Sequence, residues 1–189
     1  MDAGSSKSIL QTCEIDPEGD LYLEVGTLLL LVSSKVLRLA SPVFDKMLSS
    51  RFKEGLLNQQ GMGKPNVTLP GDDQKGVELV CRILHHRIIQ VPLKISNASL
   101  YAVAVVCDKY DCVSVLKVWA TTWFQYEGLL ATLDGSSYDL LSAAYVFDLP
   151  EKFSLVSWSM LLQHAGNFTG FQIDEGHLPA NLTSKYLQN

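Results

Sequence analysis

Leu21, Leu23 and Val25 alternate with Tyr22 and Glu24, and past Gly26-Thr27 an unbroken apolar run extends from Leu28 to Val32. Alternation of period two suits a strand with one buried face, and a short continuous apolar run suits a strand buried on both. Gly26-Thr27 supplies the reversal between them, because glycine adopts the positive φ of a tight hairpin turn without steric cost. The spacing therefore predicts a hairpin whose second strand is central in a sheet.

The segments around this hairpin predict helices paired on a small sheet. Asp16-Pro17-Glu18-Gly19 is a turn signal ahead of it, and residues 1–15 are mostly small and polar, a flexible segment with at most a short strand near Ile9-Leu10. Ser33 and Ser34 are capping residues for a short helix carrying Val36, Leu37, Leu39 and Ala40. Ser41-Pro42 restarts the chain: serine suits an N-cap, and proline suits the first helical position, where its missing N–H needs no partner. Val43, Phe44, Met47 and Leu48 then form one apolar stripe. Residues 55–65 read as a loop and Asn66–Pro70 as a third strand. Asp72 or Asp73 caps a helix with Val77, Val80, Cys81 and Leu84 on one face, and Ile88, Ile89 and Val91 suggest an edge strand stopped by Pro92. Beyond that point everything reads as helix. Ser96 or Asn97 caps an all-round apolar Ala98–Tyr110, and Asp111 restarts a helix with Leu116, Trp119 and Trp123. Ser136-Ser137 opens another through Leu140, Ala144 and Phe147, and the last, 151–165, carries Leu155, Trp158 and Leu162 on one side.

Composition limits the function classes. The 189 residues are 47% apolar and 19% charged, a globular balance, and the net charge of -5 argues against a nucleic-acid footprint. No apolar run approaches the ~18 residues of a membrane span. Met1–Ser8 shows no basic cluster leading into an apolar core, so a cytoplasmic or nuclear location is expected, with Cys13, Cys81, Cys107 and Cys112 as reduced thiols.

The order of elements, hairpin, two short helices, third strand and then helices in pairs, resembles the BTB/POZ fold. Particular residues carry the resemblance further. Gly19-Asp20-Leu21 is similar to the family's opening strand, Val36-Leu37 through Ser41-Pro42-Val43-Phe44 and Met47-Leu48 to its first helical pair, and Val67-Thr68-Leu69 to the strand that closes its sheet. Ala104–Cys112, with Asp108-Lys109-Tyr110-Asp111, is similar to a late helical segment of the family, and Ile83-Leu84-His85-His86 leading to Val91-Pro92 resembles its fungal branch. The resemblance covers about residues 16–118. It implies an α+β fold with a small, mostly antiparallel sheet covered by paired helices, followed by an all-helical extension over 119–189. It also implies a protein-interaction adaptor or scaffold with no chemistry of its own. In one respect the chain departs from the family. Ser33 and Ser34 stand where many members have histidine and a basic residue, so the charged pocket that such a residue forms with the position of Asp20 is missing.

Phe52-Lys53-Glu54 falls where cullin-binding relatives carry a hydrophobic-x-Glu motif, which implies an apolar anchor with a carboxylate at the rim of a cullin scaffold's pocket, and hence a substrate adaptor for a ubiquitin ligase. The plain alternative is that Phe52 packs inward and Glu54 is solvated. A homo- or hetero-oligomerisation domain without a ubiquitin role, including self-association between BTB chains, is the rival function. Trp119, Trp123 and Trp158 read as core before interface anchors. His85-His86 lacks a third metal ligand, and Cys107 and Cys112, five apart, do not share one helical face. Gly61-Met62-Gly63-Lys64 lacks the spacing of a phosphate loop and precedes a strand. No catalytic residues, no metal and no cofactor are expected, and the chain is not read as an enzyme.

Overall fold

A computed structural model describes residues 10–49, 63–125 and 137–163. The chain is α+β and divides into two compact units, Met1–Val91 and Pro92–Asn189. The first contains strands β1 (Gln11–Glu14), β2 (Leu21–Val25), β3 (Leu28–Val32) and β4 (Asn66–Thr68), helices α1 (Ser34–Ala40), α2 (Pro42–Met47) and α3 (Gln74–Leu84), and a 3-10 turn at Ile88–Gln90. The second contains α4 (Asn97–Lys109), α5 (Val113–Phe124), α6 (Ser137–Val146) and α7 (Pro150–Gln163).

The predicted hairpin is the centre of the sheet. β2 and β3 pair antiparallel with Leu23 opposite Leu30, and the strand order is β1-β3-β2-β4. On β2 only Leu21, Leu23 and Val25 are buried, whereas on β3 all but Leu29 are, as half-buried and central strands require. Gly26 takes a φ of 58° in the turn. Gly19 is needed for a different reason. A Cβ there would lie 2.7 Å from the carbonyl oxygen of Val32 and 2.9 Å from that of Asp16, both fixed backbone atoms.

The sheet is not mostly antiparallel. β1 runs parallel to β3 and β4 parallel to β2, so two of the three pairings are parallel. The reason lies in the connections. Only β2 and β3 are joined by a tight turn, which forces antiparallel pairing; β1 turns through Asp16–Gly19 yet lands on the far side of β3, and β4 returns only after the helical pair. Strand β1 also lies just beyond the expected Ile9-Leu10, and Ile15, the residue after it, is wholly buried. Ordered sheet therefore begins before residue 16.

Ser41 and Pro42 act as their types dictate. Ser41 closes α1 by donating its N–H to the Leu37 carbonyl (3.0 Å), and its Oγ accepts from the Phe44 N–H (2.9 Å) to open α2, with Pro42 in the first helical position. Phe44 and Leu48 are buried, and α3, capped by Asp73 accepting from the Gly76 N–H (2.7 Å), packs against α1 and β3. Burial of apolar side chains of this size contributes about 1.5–3 kcal/mol each. The Ile88–Val91 segment is not an edge strand. The Gln90 N–H bonds to the Arg87 carbonyl and the Val91 N–H to that of Ile88, which is the i to i+3 pattern of a 3-10 turn.

In the second unit Ser96 caps α4 by accepting from the Ser99 N–H (3.1 Å), α4 packs on α5 and α6, and α6 on α7. Leu100, Leu116, Trp123, Phe124 and Leu140 are fully buried. The expected division at 118/119 falls inside α5, whose Trp123 Nε1 donates to the Pro92 carbonyl (2.9 Å) and so ties the start of this unit to its own core. On α7 the inward residues are Val156 and Met160. Leu155 and Trp158 face outward, the reverse of the expected direction. No described helix is long and apolar enough to cross a membrane.

Three described helices end without glycine where glycine is usual. His86, Asp111 and Asp148 have φ of 56°, 49° and 50°. At each, the next residue's N–H reaches back to close the helix: Arg87 to the Arg82 carbonyl, Cys112 to Cys107 and Leu149 to Ala144. This is the six-to-one bond of a Schellman cap with an ordinary residue in the left-handed position. Asp111 thus ends α4 and does not start α5.

Candidate functional site

Phe52, Lys53 and Glu54 lie outside the described residues, as do Gly61 and Met62 of the GxGK fragment. Described instead is the helical pair α1–α2 that leads to Phe52. Its inner side is Leu37, Phe44 and Leu48. Its outer side carries Leu39, 80% exposed, beside Arg38, whose Nε lies 2.7 Å from Asp45 Oδ1. Both partners of that ion pair are well exposed, so it orients the helices more than it stabilises them.

Beneath α1 lies a polar node built from separate stretches of sequence. One carboxylate oxygen of Asp20 accepts from the Ser34 N–H and the other from its hydroxyl, both at 2.7 Å. Ser33, the formal N-cap, makes no side-chain cap bond, so the expected serine cap is replaced by the Asp20 carboxylate at the positive end of the helix. The Ser33 N–H donates to His85 Nε2 (2.9 Å), and His85 Nδ1 lies 2.8 Å from the Cys81 carbonyl. The accepting Nε2 places the ring proton on Nδ1, so the imidazole is neutral. Burial pushes the His85 pKa below the usual histidine value; the Cys81 carbonyl and Asp16 act the other way, and Arg87 adds to the lowering. Arg87 Nε donates to the Ile15 carbonyl (2.7 Å), with its Nη2 3.8 Å from Asp16.

His85 and His86, adjacent in sequence, are separated in function. His85 is buried and committed to backbone bonds, while His86 is exposed and closes α3. Among the described residues no group of three or more His, Cys, Asp or Glu is disposed to hold a metal. On the same unit Arg82 Nη2 reaches Glu78 Oε1 (2.5 Å) and Cys13 Sγ (3.5 Å) and Arg82 also bonds Gln90. Burial raises the Cys13 pKa, against the lowering effect of Arg82. Ile89 is fully exposed and Ile88 half so.

Cys107 and Cys112 meet despite their five-residue spacing, because the left-handed Asp111 folds the chain back and sets Cys112 against the last turn of α4. Both are buried free thiols, and burial first, then the Cys112 hydrogen bond, raises the Cys107 pKa well above the usual thiol value. The tryptophans divide: Trp123 is fully buried, Trp119 lies 5.7 Å from it, and Trp158 is 59% exposed. The sequence carried no signal for the His85 node, since Asp20, Ser33 and Cys81 join it only through the fold. The ionisable groups of the node hold backbone in place; none is arranged as a nucleophile with its base. No family model matches the chain, and no curated protein is significantly similar to it.

Proposed function

We propose that this chain is a protein-interaction module of BTB/POZ type, acting as an adaptor or scaffold in the cytoplasm or nucleus and carrying out no catalysis. The observation that supports the reading most is the α1–α2 pair. Two short helices hinge at Ser41-Pro42, follow the hairpin in the chain, turn Leu39 outward, and precede Phe52-Lys53-Glu54 in sequence. An exposed leucine beside an oriented ion pair has the make-up of an apolar anchor with a polar rim. The sharper form of the reading is a substrate adaptor for a cullin-type ubiquitin ligase. Phe52 would be the anchor and Glu54 the orienting carboxylate, with the substrate received by the helical unit. Pull-down with a cullin amino-terminal domain tests it: the wild-type chain is retained and Glu54→Lys is lost. Binding by neither protein rejects it.

An oligomerisation module is the second reading, favoured by β1. Among the described residues Gln11–Glu14 is an edge strand with mostly exposed side chains, and such an edge can add a strand from another chain. Light scattering across a concentration series separates the two. A mass that rises to the dimer supports self-association, and a constant monomer mass excludes it.

A further inference from the structure

We propose that His85 is an acid-released latch, holding the start of α1 to the end of α3 when neutral and letting go when its ring gains a proton. The geometry requires this polarity. Nδ1–H is committed to the Cys81 carbonyl at 2.8 Å, so Nε2 is available as an acceptor, and the Ser33 N–H uses it at 2.9 Å. A protonated ring carries N–H on both nitrogens. The Ser33 N–H would then face another N–H, and one of the orphan donors at the start of α1 would lose its acceptor with no serine cap to replace it.

The surrounding charges set how easily this happens. From the β1–β2 turn Asp16 favours the protonated ring, and from beyond α3 Arg87 opposes it; Arg87 is itself held by the Ile15 carbonyl and by Asp16. From the β2 side Asp20 grips Ser34, the neighbouring residue. Cys81 contributes its carbonyl. Burial outweighs these influences and holds the ring neutral to a lower pH than an ordinary histidine. Proton uptake therefore breaks the bond at Ser33 while the Asp20 bonds at Ser34 persist, which loosens the entry to α1 without releasing the whole helix. The latch stands on these bonds whether or not α1 docks a partner. If α1 does so, its release would tie that docking to pH.

The test uses the full chain and needs no ligand. Histidine ring shifts followed by NMR give the His85 titration, and amide exchange gives protection at Ser33, Ser34 and the first turn of α1. The expected result is a ring that titrates below the ordinary histidine range, with protection factors at Ser33 and α1 falling by about tenfold per pH unit below that midpoint. His85→Gln, whose amide oxygen reaches the place of Nε2 and does not titrate, should keep protection flat over the same range. A ring that titrates in the ordinary range, or α1 protection that survives its titration in the wild type, overturns the proposal. Should His85→Gln not fold, the wild-type measurements alone decide.

Discussion

The two carboxylate oxygens of Asp20 lie 2.7 Å from the backbone nitrogen and the hydroxyl of Ser34, so a residue ahead of the hairpin caps the helix that follows it. A hydrogen bond to a charged group is worth roughly 1.5–3 kcal/mol, and here two share one acceptor group. Asp20→Ala should lower unfolding stability by about 2–3 kcal/mol, read as a fall in urea midpoint at unchanged slope. Ser34→Ala keeps the amide bond and should cost less, about 1 kcal/mol.

The stability of the chain should fall in mild acid through His85. Its folded-state pKa is lowered from the ordinary 6.5, so the unfolded chain binds more protons in between. Stability from the neutral ring is thus complete above the unfolded pKa. It declines as pH falls from there through the folded pKa. Denaturant midpoints at successive pH values, compared between wild type and His85→Gln, should diverge above that window and converge below it.

Left-handed Asp111 predicts a stabilising substitution. An ordinary residue there bears a penalty of roughly 1–2 kcal/mol that glycine escapes, partly offset by glycine's greater freedom when unfolded. Asp111→Gly should raise stability by about 0.5–1 kcal/mol in chemical denaturation. Asp148→Gly should gain less, because it also loses the exposed pair to Lys117 at 3.1 Å.

Trp123 and Trp158 should behave oppositely on truncation. Trp123→Ala empties a fully buried site and removes the donor to the Pro92 carbonyl, at a cost of about 3–5 kcal/mol. Trp158→Ser, on the outer face of α7, should stay within about 0.5 kcal/mol, both variants being read by thermal melts against the wild type.

Local chemistry was legible, and long-range placement was not. The alternation at Leu21–Val25, the Ser41-Pro42 joint and the Asp73 and Ser96 caps depend on residues within a turn of one another, and each stands where its residue types put it. β1 carries three exposed side chains out of four, so its place beside β3 is written in backbone bonds that no side-chain pattern announces. Ile88 and Ile89 look like strand residues, yet the left-handed His86 turns the chain so that they protrude. On α7 both faces are apolar, Leu155 and Trp158 against Val156 and Met160, and periodicity alone cannot choose the buried one. The polar node failed to show for the same reason as β1: Asp20, Ser33, Cys81 and His85 meet only after the chain has closed.

The register of β4 on β2 carries a consequence for biosynthesis. On the flank away from β3, Tyr22, Leu23 and Glu24 pair with Asn66, Val67 and Thr68, which leave the ribosome after both short helices and the stretch that follows them. Until then the emerging polypeptide holds a hairpin with one raw flank, open to wrong pairing with any other extended segment nearby. That flank closes when β4 arrives, so lesions at Val67, which is buried opposite Leu23, should show up as poor yield in cells before they show up as altered behaviour of the purified protein.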